Sequence, residues 1–199
     1  MNKIWLGIFF TALLWSGIDP KDYPTWMLEV APAVIALIVL AKTREKFRLT
    51  DLAYNLILVH SLILMVGAHY TYAEVPLFDW LKDVFNLERN NYDKVGHLAQ
   101  GFIPAIIARE VLIRNHVLLN LKWLNFFIVC ICLAISAVYE LIEWCVALLS
   151  SEAAEAFLGT QGYIWDTQSD MAFALLGAVL ALALLSNRHD RHIARLMAE

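Results

Sequence analysis

From 123 to 149 the chain runs without glycine or proline and with two charged residues, Glu140 and Glu143. A helix needs roughly 20 residues to cross a bilayer. Backbone in hydrocarbon must satisfy its own N–H and C=O groups, which leaves helices or closed barrels. Further apolar stretches lie at about 4–18, 25–41, 51–73, 94–113 and 167–185. The composition agrees: 60% of the residues are hydrophobic and 17% charged, against about 25% charged in soluble domains, and the mean hydropathy is +0.61. The expectation is an all-α fold, a polytopic membrane helix bundle of six transmembrane helices forming one integral membrane domain over 1–199.

The first stretch imitates a secretory signal, with Lys3 ahead of apolar residues, but Trp15-Ser16-Gly17-Ile18-Asp19 is a poor cleavage site, so an uncleaved span is expected. Prolines at 20 and 24 end it. Residues 76–89 are too polar to cross. Leu77, Phe78, Leu81, Val84 and Phe85 nevertheless recur at helical spacing opposite Asp79, Lys82, Asp83 and Asn86, the pattern of a short interfacial amphipathic helix. Gly101, Ala105 and Ala108 on one span, and Ala174, Gly177 and Ala181 on another, form small-residue faces suited to close helix contact. Pro104 is placed to kink the fourth span. Cys130, Cys132 and Cys145 share one apolar run and imply neither a disulfide framework nor a zinc site; they read as buried small apolar residues.

Orientation follows from the basic residues. With the N-terminus inside, one side receives Lys3, Lys42, Arg44, Lys46, Arg48, Arg109, Arg114, Lys122, Arg188, Arg191 and Arg195. The other keeps only Lys21, Lys82, Arg89 and Lys94. The positive-inside rule then predicts both termini in the cytoplasm of a bacterial inner membrane. The net charge of −4 carries less information, and nothing supports nucleic-acid binding.

On this topology Glu29, the stretch from His69 to Glu74, Asp93 with His97, Glu140 with Glu143, and Asp166 with Asp170 all lie toward the outer side. Local roles explain some of them. Asp93 and Asp166 sit where helices begin and read as N-caps; Trp80, Tyr139, Trp144 and Trp165 read as interfacial anchors. His60 reads as a bundle histidine, Glu110 with Arg114 as a surface i,i+4 pair, and Glu29 as a partner of Lys21 or Lys94. His97, Glu140, Glu143 and Asp170 lie inside their spans, where unneutralised carboxylates cost several kcal/mol each. These four are the candidate catalytic groups, with His69 at the edge of the site. Protonation or a cation must neutralise so many acids. The spacings D-x3-H, E-x2-E and D-x3-D place pairs on one helix face, so Asp93, His97, Glu140, Glu143, Asp166 and Asp170 are candidate ligands for one divalent metal ion.

Three segments carry a likeness: Tyr92-Asp93-Lys94-Val95-Gly96-His97, Glu140-Leu141-Ile142-Glu143-Trp144, and 159–171, which reads GTQGYIWDTQSDM. With them the chain resembles, over essentially all six spans, the YjdF-type family of small bacterial inner-membrane proteins of unassigned molecular function. The resemblance implies localisation and topology, not chemistry. A weaker likeness is to VanZ-like proteins, associated with teicoplanin resistance, which share the D-K-x-x-H helix start found at Asp93, Lys94 and His97. Those proteins tend to carry E-x2-Q and D-x3-N where this chain has Glu140/Glu143 and Asp166/Asp170. The departure adds acids and favours a cation or proton site. Three readings stay open: a metal-dependent enzyme acting on a lipid or lipid-linked substrate from the outer leaflet, a proton-coupled transporter, and a non-catalytic envelope binding or assembly protein. The lipid bilayer is the one partner common to all three.

Overall fold

The computed structural model describes residues 2–149 and 164–198, and every regular element among them is helical. The helices are α1 (Lys3–Ser16), α2 (Tyr23–Thr43), α3 (Asp51–His69), α4 (Pro76–Phe85), α5 (Tyr92–Arg114), α6 (Leu124–Leu149, entered through a 3-10 turn at Leu121–Trp123) and α7 (Asp166–Ala198). Four segments are long and apolar enough to cross a membrane: Tyr23–Thr43, Asp51–His69, Leu121–Leu148 and Asp166–Ala198. α1 is apolar but shorter. α5 has the length, with 23 residues, but its Asp93, Lys94, Arg109, Glu110 and Arg114 keep it out of that class.

Several helix ends differ from the expected spans for local reasons. The third stretch was expected to reach residue 73, yet α3 stops at His69, because Thr71 and Tyr72 adopt left-handed backbone, each with φ 57°, and Tyr72 N–H donates back to Gly67 C=O at 2.8 Å. The amphipathic helix ends at Phe85 rather than 89, where Asn86 takes the left-handed capping conformation. Its Leu77, Trp80, Val84 and Phe85 are exposed, as a helix resting on the membrane interface requires. α7 continues past 185 to Ala198 and carries a basic tail beyond its apolar part. Of the cysteines only Cys132 is buried, while Cys130 and Cys145 sit on the outward face of α6.

Hydrogen bonds between helices fix their alternation. At one end, here called acidic, Trp26 Nε1 donates to Ser16 Oγ (3.1 Å) and Tyr92 Oη to Ile63 C=O (2.9 Å). At the other, basic, end Trp5 Nε1 donates to Tyr54 C=O (2.8 Å) and Arg114 Nη1 to Arg48 C=O (2.6 Å). α1, α2, α3, α5, α6 and α7 therefore run alternately between the two ends. α5 is the centre: it packs against α3, α6 and, most extensively, α7, and contributes to both apolar clusters, one around Phe9, Tyr54 and Met65, the other around Ile106, Ile128, Cys132 and Ala178.

Inside a bilayer helices gain no hydrophobic driving force from one another, so close packing has to hold them. The small faces provide it. A Cβ placed on Gly101 would fall 1.8 Å from the Ala174 carbonyl oxygen, and one on Gly177 would fall 2.1 Å from the Leu98 carbonyl oxygen. α5 and α7 thus meet backbone to backbone, and that contact sets the distance between the polar groups at either end of the pair.

Candidate functional site

At the acidic end, the first turns of α5 and α7 carry opposite charges. Lys94 Nζ lies 2.8 Å from Asp166 Oδ1, 2.6 Å from Asp170 Oδ1 and 3.4 Å from Asp93 Oδ2. Arg89, in the loop before α5, pairs with Asp93 and reaches Asp166 Oδ1 at 2.9 Å. Burial opposes the Arg89 charge, but Asp93 and Asp166 outweigh it and the guanidinium pKa is raised. Neither aspartate is the simple N-cap expected. Asn91 holds the cap position of α5, Asp93 accepts from Lys94 N–H, and Asp166 is the first residue of α7, facing two cations.

One helical turn deeper, three helices bring together a second set. His97 Nε2 stands 3.8 Å from Glu140 Oε1 and 3.7 Å from Asp170 Oδ2, too far for hydrogen bonds. His97 Nδ1 lies 3.2 Å from Gln100 Oε1. Since that oxygen only accepts, Nδ1 carries the proton in this contact, and it is the neutral tautomer protonated there that offers an Nε2 lone pair to a metal. Glu140 and Asp170 are buried, and Glu140 Oε1 has no hydrogen-bond partner. The other carboxylate contact of Glu140 is a hydrogen bond from Thr167.

Two groups of ligand atoms lie within 4.8 Å of one another: His97, Glu140 and Asp170, and Asp93, Asp166 and Asp170. They are not equivalent. Lys94 and Arg89 already occupy the second with positive charge. The first has an orphaned carboxylate oxygen, and its separations of 3.8 Å and 3.7 Å about His97 Nε2 are of the size found between atoms that share one divalent ion at bond lengths of about 2.0–2.6 Å. Gln100 on His97 and Lys94 on Asp170 supply the outer contacts that orient metal ligands.

His97 and Asp170 of this trio line a cavity of about 310 Å³ between α2, α3, α5, α6 and α7. Pro32 and Pro104 both line it, so α2 and α5 each lose a backbone hydrogen bond at the cavity wall. Glu143 lines the same cavity beyond the trio. Glu29, expected to pair with Lys21 or Lys94, accepts instead from Tyr139 Oη at 2.9 Å and from Tyr72, while Lys21 pairs with Glu74 at 2.8 Å. Tyr139 is therefore a cavity residue rather than a lipid anchor, whereas Trp80, Trp144 and Trp165 do face outward. Tyr72 fits because Gly67 and Gly96 have no side chain where its ring lies. His60 is on the cavity wall. His69 is not: its Nδ1 contacts Ser16 C=O at 3.2 Å and its ring lies against Trp15, tying α3 to α1.

A different polar cluster, at the basic end, escaped the sequence reading. Glu110 does pair with Arg114, as its i,i+4 spacing predicts, but it has no exposed side-chain area. It accepts from Thr50 N (2.8 Å), Thr50 Oγ1 (2.7 Å), Arg114 Nη1 (2.6 Å) and His189 Nε2 (3.0 Å). Arg109 Nη1 approaches His189 Nδ1 at 3.3 Å, and its Nη2 donates to Asp190 at 2.7 Å. Every acceptor position on Glu110 is used, so the cluster serves as a clamp between α3, α5 and α7. The one available sequence signal was two charged residues, Arg109 and Glu110, adjacent within an otherwise apolar stretch.

The family described as "Predicted membrane protein (DUF2238)" matches residues 1–191. Inner membrane protein YjdF of Escherichia coli (strain K12) is 47% identical over 183 residues, covering 92% of this chain and 88% of that protein. No solved structure matches. Of the three segments that carried the resemblance, the part at 159–163 lies outside the described residues. The match of nearly the whole chain, together with its apolar helices and buried charge clusters, establishes that this protein belongs to the DUF2238 family of integral membrane proteins.

Proposed function

We propose that the chain crosses the inner membrane six times with both termini in the cytoplasm, and that its acidic end is a metal-dependent catalytic site in the outer leaflet acting on a lipid or lipid-linked substrate. The observation carrying the reading is the meeting of His97 Nε2, Glu140 Oε1 and Asp170 Oδ2 beside a cavity of about 310 Å³. His97, Glu140 and Asp170 would hold a divalent ion, which when bound would supply Lewis acidity toward a phosphoryl or carbonyl oxygen and activate water. Lys94 and Gln100 hold Asp170 and His97 in place. Glu143, one helical turn from Glu140, is the proton acceptor for the attacking water, and Arg89 at the cavity rim receives an anionic headgroup.

Two features support six crossings. α1, about 21 Å long at 1.5 Å per residue, lies against α3 and exposes Ile4, Ile8 and Leu14. α5 buries Lys94, Arg109 and Glu110 among its neighbours rather than showing them to lipid. Eleven of the fifteen Lys and Arg residues fall at the basic end, which favours that end inside. A C-terminal alkaline phosphatase fusion is expected to be inactive while a fluorescent-protein fusion glows; the reverse pair overturns the orientation.

Metal analysis of the full chain purified in detergent tests the site. One divalent ion per chain is expected, falling to background in His97→Ala and Glu140→Gln and retained in Asp83→Asn, which removes an exposed acid on α4. Failure of the wild-type protein to take up magnesium, manganese, zinc or calcium overturns the reading. Proton-coupled uptake by metal-free vesicles would assign the same acids to a carrier.

A further inference from the structure

The cavity lined by His97 and Asp170 has a further polar wall on α2, α6 and the turn after α3, most of which the proposed chemistry leaves unused. Glu29 is 7% exposed and accepts from Tyr139 Oη at 2.9 Å and from Tyr72. Among the described residues no cation pairs with it: Lys21 is held by Glu74, and Lys94 by Asp166 and Asp170. Glu143 acts electrostatically on the same two phenols, so two acids flank one pair of aromatic rings. Tyr72 reaches this position with left-handed backbone, φ 57°, a conformation uncommon outside glycine. Its ring occupies space that a Cβ on Gly67 or Gly96 would enter, at 2.3 Å and 3.0 Å.

A buried carboxylate calls for a proton or a positive partner. Ionised, it has about four acceptor sites, and on Glu29 each phenol takes one. The open acceptor sites and the flanking ring faces together suit an ammonium group, through charge-assisted hydrogen bonds and cation–π attraction. A primary ammonium uses both, whereas a quaternary one has no N–H to donate. The same cavity opens toward lipid. Ile135, Val138 and Ile142 of α6 line it and are also exposed. α2 packs on α3, and α6 on α5 and α7, so α2 and α6 border a seam that the Tyr139–Glu29 hydrogen bond bridges. At about 310 Å³ the cavity sits at the low end of the roughly 300–1,000 Å³ usual for ligand sites. It fits a headgroup and leaves acyl chains on the lipid-facing side of α6. Arg89 lines it too, so one ligand can meet a guanidinium and a carboxylate.

We propose that this wall is the subsite for the primary ammonium of a zwitterionic phospholipid headgroup that enters sideways between α2 and α6. Glu29 accepts from its N–H groups, the Tyr72 and Tyr139 rings lie beside the cation, and Arg89 holds the phosphate. The assignment rests on the lipid-substrate reading above and names the class of lipid whose phosphate Arg89 receives; it does not depend on the metal.

The test uses the full chain in detergent micelles with a chelator present, following the thermal unfolding midpoint against added phosphatidylethanolamine, phosphatidylglycerol, phosphatidylcholine or free O-phosphoethanolamine. Phosphatidylethanolamine is expected to raise the midpoint saturably. Its half-saturating mole fraction should lie roughly tenfold to a hundredfold below that of the other two lipids, the range for one hydrogen-bonded charge. Glu29→Gln should abolish that preference. Glu88→Gln, which removes an exposed acid at the same end outside the cavity, should keep it. Equal half-saturation by the three lipids in the wild type overturns the proposal without any variant, and so does a preference that survives Glu29→Gln. A Glu29-dependent shift of equal size with O-phosphoethanolamine overturns the lipid assignment in favour of a soluble amine. Metal analysis judges the metal reading separately: Glu29 is not a candidate ligand, so Glu29→Gln should keep the wild-type metal content. A wild type that takes up no metal yet prefers phosphatidylethanolamine through Glu29 loses the metal reading and keeps this one; metal uptake without that preference does the reverse.

Discussion

Gly101→Val and Gly177→Val should each lower stability by about 3 kcal/mol, the upper range for forcing extra atoms into a packed interior. A Cβ at either position meets backbone of the opposing helix, at 1.8 Å and 2.1 Å, and backbone has no rotamer by which to yield. α5 and α7 must separate, and the separation carries His97, one turn before Gly101, away from Asp170. Occupancy of the proposed metal site should fall with stability, although neither glycine is a candidate ligand. Gly7→Ala is the control, since its Cβ would meet nothing within 4 Å, and it should change stability by less than about 1 kcal/mol. The two valine variants combined should cost less than their sum, because the first already opens the contact that the second obstructs. Unchanged thermal midpoints in detergent for both single variants would contradict the backbone contact.

The second large effect is expected at Glu110. Removing one member of a buried, hydrogen-bonded charge cluster typically costs about 3–5 kcal/mol, because the partners are left without compensation. Glu110→Ala strands the Thr50 amide, the Arg114 guanidinium and the His189 imidazole. His189 Nδ1 faces an Arg109 donor, so Nε2 carries the proton that Glu110 accepts; alanine leaves that proton without an acceptor. The variant should melt earlier, and trypsin should cut more readily at Arg188 and Arg191 on the α7 tail. Glu110→Gln, which keeps one acceptor, should cost less. Glu45→Gln, exposed in the neighbouring loop, should cost nothing measurable. Equal protease resistance in wild type and Glu110→Ala would show that the clamp does not hold α7.

What the sequence discloses depends on how local each cause is. Apolar length marks α2, α3, α6 and α7 directly, and small residues at helical spacing mark the faces of Gly101 and Gly177. The faces bearing His97, Glu140 and Asp170 are also readable from spacing. The reach of the neutralising cations is not. The sequence marks Lys94 as the nearest cation and leaves Arg89 in a loop, but it does not show that both long side chains extend among the aspartates. Tyr139 and Trp144 look alike in sequence as aromatic residues near a span's end, but Tyr139 turns to Glu29 while Trp144 faces outward; five residues of helix rotation separate the two fates. Glu110 is the least legible, because Thr50 lies 60 residues before it and His189 lies 79 after it. Only its i,i+4 neighbour Arg114 is visible locally.

The pairing of α5 with α7 bears on how the protein is made. Lys94 and Arg109 on α5 find their acids, Asp166, Asp170 and Asp190, on α7, which is synthesised after α6 and the connection that follows it. α5 is not in the class of helices apolar enough to cross a bilayer by composition, and at the time it leaves the ribosome the acids that α7 contributes do not yet exist. On the proposed six-crossing topology, α5 therefore settles in lipid only once α7 supplies those acids. A chain stopped after α6 lacks those partners, so on that topology the central helix is completed by the last one.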